Sequence, residues 1–254
     1  MNHNNATLRT TTSYAILIAL LGALLTSCSP VLHTAVGHNV PLLREKGEAR
    51  FGGGYAETDV ASGASLQIAT AIDSSLAICA LFHSLSSSNS SDEWSGSGTY
   101  IDVMMGKFGN FSNGRFVWEV FAGLGYCAMK NEYVGDYVNA KYVKPYVQPS
   151  IGIVGKIAEF ALTPRIGLVN YTSQSYNLSD IQLRNAVDEF FDEKGTTFVF
   201  EPGVTLRVGY KSVKIQAQYS YTTFSFNNAE WDPVEADFLS IGIDFLIPDR
   251  FVKK

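Results

Sequence analysis

The feature that most constrains this chain is a period of two. From Gly47 onward apolar and polar residues alternate, the signature of strands whose successive side chains point to opposite faces. Over 213–222, Val213, Ile215, Ala217, Tyr219 and Tyr221 share one face, and Lys214, Gln216, Gln218, Ser220 and Thr222 share the other. Val204, Leu206, Val208 and Tyr210 oppose Gly203, Thr205, Arg207 and Gly209 in the same way. The pattern recurs in Leu239, Ile241, Ile243 and Phe245, and in Phe116, Trp118, Val120, Ala122, Leu124 and Tyr126. It predicts about ten strands (8–12), at 48–58, 64–73, 75–86, 97–109, 114–129, 141–155, 158–172, 197–210, 213–224 and 237–247.

The connections decide what kind of sheet these strands make. Short turns at 73–75, 110–113, 156–157 and 211–212 are expected to alternate with longer connections, one of them over twenty residues. An even strand count then puts both termini on the short-turn side. Outer-membrane barrels have this layout, with short periplasmic turns and long outer loops. Charge sorts the same way. Fifteen of the 24 acidic residues fall in the long connections, whereas Lys107, Arg115, Lys156, Lys211, Arg250, Lys253 and Lys254 lie on the short-turn side. Aromatic residues (Phe116, Trp118, Tyr126, Tyr210, Tyr219, Tyr221, Phe245) stand near strand ends, where a membrane interface would be. Charged residues make up only 17% of the chain, too few for a disordered protein and, set among this alternation, unlike a bundle of membrane helices. The net charge of -5 argues against nucleic acid as a partner. The fold expected is all-β: an antiparallel up-and-down transmembrane barrel. A periplasmic lipocalin-like binding lipoprotein is the alternative, and it would turn the apolar face inward.

The first thirty residues read as a leader. Residues 14–25 are an apolar run too short to span a bilayer, which needs about 20 residues as a helix. Leu25-Thr26-Ser27-Cys28 follows at once and is similar to the lipobox of bacterial lipoproteins. That resemblance implies cleavage before Cys28 and diacylation of its thiol. Acidic residues that would resemble a surface-export tag do not follow Cys28, so the lipid is expected on the periplasmic side. The expected organisation is a signal peptide at 1–27, a lipid anchor and extended linker at 28–46, a barrel at 47–248 and a tail at 249–254. Cys79 and Cys127 read as ordinary buried thiols, with no metal-ligand spacing.

The stretch from His38 to Glu48, soon after Cys28-Ser29-Pro30, and the glycine-rich Phe51-Gly-Gly-Gly-Tyr55 resemble the start of small outer-membrane β-barrel proteins of Bacteroidota-type bacteria. The resemblance implies an outer-membrane location and a barrel, and brings no defined activity. Gly242-Ile-Asp-Phe245 resembles the insertion signal read by the barrel-assembly machinery, although Leu246 to Lys254 follow it.

With the apolar face outward, parity lists the lumen. It holds Arg50, Arg165, Arg207 and Lys214 against Asp102, Glu119, Glu201 and Asp244. A narrow lumen must pair such charges, because a lone desolvated charge costs several kcal/mol. The expectation is an internal salt-bridge network that closes the barrel; the alternative is a narrow channel lined by the same residues. In the long loop 173–196, Ser179-Asp-Ile-Gln182 fits a capping box, and Leu183, Ala186, Val187, Phe190 and Phe191 follow at helical spacing over a face expected to cover the barrel mouth. Trp94 and Trp231, beside acidic residues, either extend that surface or pin their own loops.

For catalysis, His83 is the one histidine inside the strands, and a rim enzyme would need an acid such as Asp92, Asp136 or Asp232 to orient it. Ser84 points to the opposite face, and no motif of known barrel proteases or deacylases is present. The protein is expected to be a non-enzyme without cofactor or metal, and no calcium-loop spacing is found among the acidic residues. Its partners would be outer-membrane lipid, lipopolysaccharide and the assembly machinery, with any surface ligand unspecified.

Overall fold

The computed structural model describes residues 30–87, 94–111, 114–224 and 233–248. Cys28, Asp92, Trp231, Asp232 and the tail 249–254 lie outside these residues. A short strand β1 (His33–Thr34) is followed by β2 (Ala49–Glu57), β3 (Ser62–Ala71), β4 (Leu76–Ser87), β5 (Ser95–Phe111), β6 (Phe116–Tyr133), β7 (Asp136–Val154) and β8 (Ala158–Asn177). Then come helix α1 (Ile181–Lys194), β9 (Thr196–Tyr210), β10 (Val213–Tyr221), β11 (Thr223–Phe224), β12 (Val234–Glu235) and β13 (Asp237–Ile247). Ten of these strands pair antiparallel with their neighbours from β2 through β10, and β13 closes the ring between β10 and β2. The fold is a closed ten-stranded antiparallel barrel. Among the described residues no helix is long and apolar enough to cross a membrane.

Alternation fixes which face is which. Leu66, Ile68, Ile101, Val103, Leu124, Ile151, Leu162, Ile166, Leu206, Ile215, Ile241 and Ile243 are exposed on the outer wall, while their sequence neighbours Gln67, Asp102, Arg165, Arg207, Lys214 and Gln216 are buried inside. A soluble lipocalin has the reverse arrangement, so that alternative is overturned. On β8 the exposed apolar series runs from Phe160 to Leu168, and on β6 from Phe116 to Tyr126, the span a tilted membrane strand of about 9–11 residues requires. Gly54 and Gly242 face each other across β2 and β13, where an added Cβ would lie 2.2 Å and 2.3 Å from partner carbonyl oxygens. Such tight coiling lets a small barrel close.

Two expectations about the connections need correction. Long and short connections do not alternate strictly: the far-end links at 58–61 and 134–135 are short. The residues counted as a loop between strands at 129 and 141 continue the ladder instead, from Tyr126↔Val143 up to Tyr133↔Asp136. Val134 and Gly135 both take positive φ, 40° and 92°, as a two-residue hairpin turn demands. Beyond Tyr126, β6 therefore extends another 23 Å or so at 3.3 Å per residue, standing proud of the apolar belt. The second correction concerns the chain start. Ile247 does lie at the short-turn end, paired with Ala49, but Pro30 lies at the opposite end. Most of the stretch 30–46 is no external linker: residues 31–43 run down the inside of the barrel, and Glu45 and Lys46 turn exposed at the short-turn end before β2 begins.

Candidate functional site: a lumen threaded by its own chain

Eight strands already leave room for little more than side chains inside a barrel. Here ten strands leave room for one extended backbone, and residues 31–43 take it. Leu32, His33, Ala35, Val36, His38, Asn39, Val40, Leu42 and Leu43 are each 3% exposed or less. At the long-loop end β1 pairs in parallel with β12, and the Leu32 and His33 amides donate to the Pro233 carbonyl. At the other end, Leu42 adopts a positive φ of 49°, the Leu43 amide donates to Glu119 Oε1 at 3.1 Å, and the chain turns through Gly47 into β2.

Beyond β1 the threaded segment has no ladder partner, yet its amides and carbonyls need hydrogen bonds. Wall side chains supply them. Asn131 accepts from the Val31 amide at 3.1 Å and donates to the Val31 carbonyl at 2.9 Å. Gln218 does the same for His38, accepting at 2.9 Å and donating at 2.6 Å. Ser220 donates to the Val36 carbonyl, Gln148 to that of Asn39 and Arg207 to that of Val40. Asn39 returns the contact by donating to the Ile68 and Ala80 carbonyls at 2.8 Å each. The wall is also hollowed to fit. A Cβ on Gly203 would stand 2.5 Å from His38 Nδ1, and one on Gly152 would stand 2.6 Å from Leu42 Cδ2.

Charged residues line the rest of the lumen in two clusters. In one, Glu159 meets Arg50 at 2.8 Å, Arg207 at 3.4 Å and the Lys214 ammonium, and Asp244 approaches Arg50 and Arg207 at 3.4 Å and 3.5 Å. In the other, Lys144 Nζ donates to both oxygens of Glu201, at 2.8 Å and 2.9 Å. Arg165 lies 3.7 Å from Glu201 and 3.8 Å from Asp102, donates to Gln148, and stacks over Tyr146 at 4.4 Å. The eight charges selected by parity (Arg50, Asp102, Glu119, Arg165, Glu201, Arg207, Lys214, Asp244) are all buried in the lumen. Glu119 stands apart from both clusters and caps the threaded segment. Sequence reasoning missed Lys144 and Glu159, which complete both clusters although the same parity rule selects them. It also missed the threaded segment and its partners Asn131, Gln148 and Gln218.

The remaining candidates have plainer settings. His83 is 1% exposed, with the Phe238 ring edge-on at 5.0 Å and Tyr100 at 6.4 Å. It borders a small cavity between the threaded segment and the wall, lined also by Thr34, Val36, Leu85 and Met129. Asp136, considered as its orienting acid, accepts instead from the Ser179 amide and hydroxyl. Cys79 and Cys127 are buried free thiols.

Helix α1 starts one residue later than the capping box implies. Asp180, not Ser179, is the N-cap, accepting from the Gln182 and Leu183 amides. The carboxylate reaches those amides more directly than a hydroxyl set one residue back. Its Val187, Phe190 and Phe191 pack with Leu32 of the threaded segment and with Val138, Ala140 and Leu178, so the helix lies over the long-loop mouth. Trp94 joins this packing and stacks on Tyr133 at 5.7 Å.

No protein-family model and no curated protein matches this chain. Among solved structures it is similar to Ail, the attachment invasion locus protein of Yersinia pestis, at 12% identity and a TM-score of 0.36, over 80% of this chain and 99% of that one. It is also similar to OmpTdeltaL8, a loop-deletion mutant of OmpT, an outer membrane protein of Vibrio cholerae. That match has 8% identity and a TM-score of 0.29, over 74% of this chain and 54% of the other.

Proposed function

We propose that this protein is an outer-membrane barrel plugged by its own N-terminal segment, a non-conducting and non-enzymatic scaffold that presents a rigid surface outside the cell. The observation that carries this reading is the occupied lumen. The backbone of residues 31–43 is held by Asn131, Gln218, Ser220, Gln148 and Arg207, and withdrawing it would strip hydrogen bonds from at least five buried wall groups. Each such loss costs about 1–3 kcal/mol, so the plug is an integral part of the fold and not a gate. The apolar belt supports a membrane setting, and an asymmetric, strand-extended end suits the outside. There the β6–β7 hairpin, the end of β8 and α1 form the projecting surface, bathed by lipopolysaccharide. Burial of His83 between aromatic rings fits a core histidine and not a rim base.

In this reading Cys28 carries the lipid. Its Sγ displaces the headgroup of a phosphatidylglycerol-type donor, forming a thioether to the glyceryl carbon while the thiol proton leaves with the displaced phosphoglycerol. Hydrolysis of the 27–28 peptide bond then frees the mature amine. The barrel-assembly machinery would insert the chain, reading the β13 end.

Planar-bilayer recording of the detergent-extracted protein tests the reading, with heat-modifiable gel mobility to establish that the barrel is folded. A compact band with no steady conductance is the expected result. Stable unitary openings from that same folded material would overturn the plug and restore the narrow-channel alternative.

A further inference from the structure

Where the threaded segment leaves the barrel has a consequence for the lipid. Val31 is bonded to Asn131, five residues beyond Tyr126 at the top of the outer apolar series on β6, about 16 Å further along the strand. Leu32 is buried under α1, at the end of the barrel opposite Ile247. Cys28 is three residues before Val31, a reach of about 10 Å even when fully extended. To lie at the short-turn end it would have to travel back past residues 31–43, about 40 Å of chain, through a lumen those residues already fill. Nor can it go around the wall, because the ring of strands is closed.

We propose that the acylated Cys28 lies on the outer face of the membrane, with its acyl chains in the outer leaflet beside the barrel. The inference rests on the plugged-barrel reading above, and it reverses the periplasmic side expected from the missing export tag. No such tag is needed, because the barrel closes around the segment and carries the N-terminus out with it. The rim is uneven, which provides the route down to lipid. The link at 58–61 is low, and Val60 and Ala61 line the same cavity mouth as Val31, whereas β5 to β8 form the tall wall. An anchor leaving over the low side covers about 10 Å of the descent with its three residues, and the glyceryl thioether and acyl chains supply the remainder.

The test uses the full-length protein with a short epitope inserted between Ser29 and Pro30, expressed in a Gram-negative host and probed with antibody on intact cells. The same epitope placed in the 134–135 turn, or in the 211–212 turn, reports the two faces independently. Heat-modifiable mobility selects folded material. The expected result is that the 29/30 and 134–135 epitopes bind antibody on intact cells, whereas the 211–212 epitope binds only after permeabilisation. If the 134–135 epitope binds on intact cells but the 29/30 epitope does not, the proposal is overturned while the barrel orientation stands. If the 211–212 epitope alone binds, the orientation on which it rests has failed instead. Metabolic labelling with an alkynyl palmitate supplies the second arm. Label that is present in the wild type and lost in Cys28→Ala is expected, and a wild type that takes up none overturns the acylated anchor.

Discussion

Gln218 grips the backbone of His38 at both its polar groups, accepting from the amide and donating to the carbonyl. A single side-chain amide thereby does what a neighbouring strand does in a sheet. Asn131 repeats the device at Val31, so the threaded segment is fixed near both its outer end and its middle. Between them, Ser220 takes the carbonyl of Val36, one residue face along.

Gln218→Leu keeps the bulk of the side chain and removes both bonds to His38, together with the one Gln218 donates to the Thr205 hydroxyl at 2.9 Å. It leaves the buried His38 amide and carbonyl without these partners and should destabilise the barrel by about 2–4 kcal/mol. The temperature at which the compact gel band converts to the unfolded band should fall accordingly. Gln218→Glu retains the acceptor for the His38 amide but adds an unpaired charge, and should be no better tolerated.

The fit of Gly203 to His38 gives a coupling that can be measured. Gly203→Ala drives a methyl to 2.5 Å from the imidazole, with the Thr163 carbonyl at 3.3 Å behind it, and overpacking of this kind costs about 1–3 kcal/mol. His38→Ala removes the obstruction, so the double variant should recover at least 1 kcal/mol of the Gly203→Ala loss in a denaturant-melt cycle. Strict additivity would show that the two residues do not meet.

Most of the wall was legible because a strand's faces are fixed by parity. Once the apolar side of β9, β10 and β13 is set against lipid, Arg207, Lys214 and Asp244 can only point inward. Lys144 was hidden in a stretch where both parities are apolar, with Tyr142 and Tyr146 inside and Val143 and Val147 outside. Glu159 stands at the second residue of its strand, as Lys214 does, and the parity of Arg165 places it inside. Beyond the two-residue β1, the threaded segment has side chains as its partners and no period of two, and parity therefore has nothing to report. Its signal was of another kind. Residues 29–43 contain no Asp, Glu, Lys or Arg, and a solvated linker is not built that way.

Glu159 is the keystone of the larger charge cluster, facing Arg50, Arg207 and Lys214. Glu159→Gln leaves three cations with Asp244 as their nearest carboxylate and should cost about 3–5 kcal/mol, the range for breaking a buried ion pair. Asp73 pairs with Lys46 at 3.8 Å where both side chains are about two-thirds exposed, and Asp73→Asn should change stability by under about 1 kcal/mol. Urea melts of the folded protein in detergent check the contrast, and equal effects would mean that the lumen is hydrated enough to screen its charges.

The cover over the mouth can be loosened without opening the barrel. Phe191 is 6% exposed, packed against Phe190 and Tyr171, with Leu32 in the same cluster, whereas Ile181 at the helix start is 72% exposed. Phe191→Ala should cost α1 about 3 kcal/mol of packing, and Asp180→Ala about 1 kcal/mol for the lost N-cap. Ile181→Ala should be nearly neutral. Because the strands beneath keep their own ladder, the loss falls on the helix and its loop. Limited proteolysis of the folded protein should therefore cut within 178–195 fastest in Phe191→Ala, more slowly in Asp180→Ala and at the wild-type rate in Ile181→Ala, with the barrel fragments remaining heat-modifiable. If Phe191→Ala instead lost heat modifiability outright, the helix would be part of what holds the barrel closed, not a cover laid upon it.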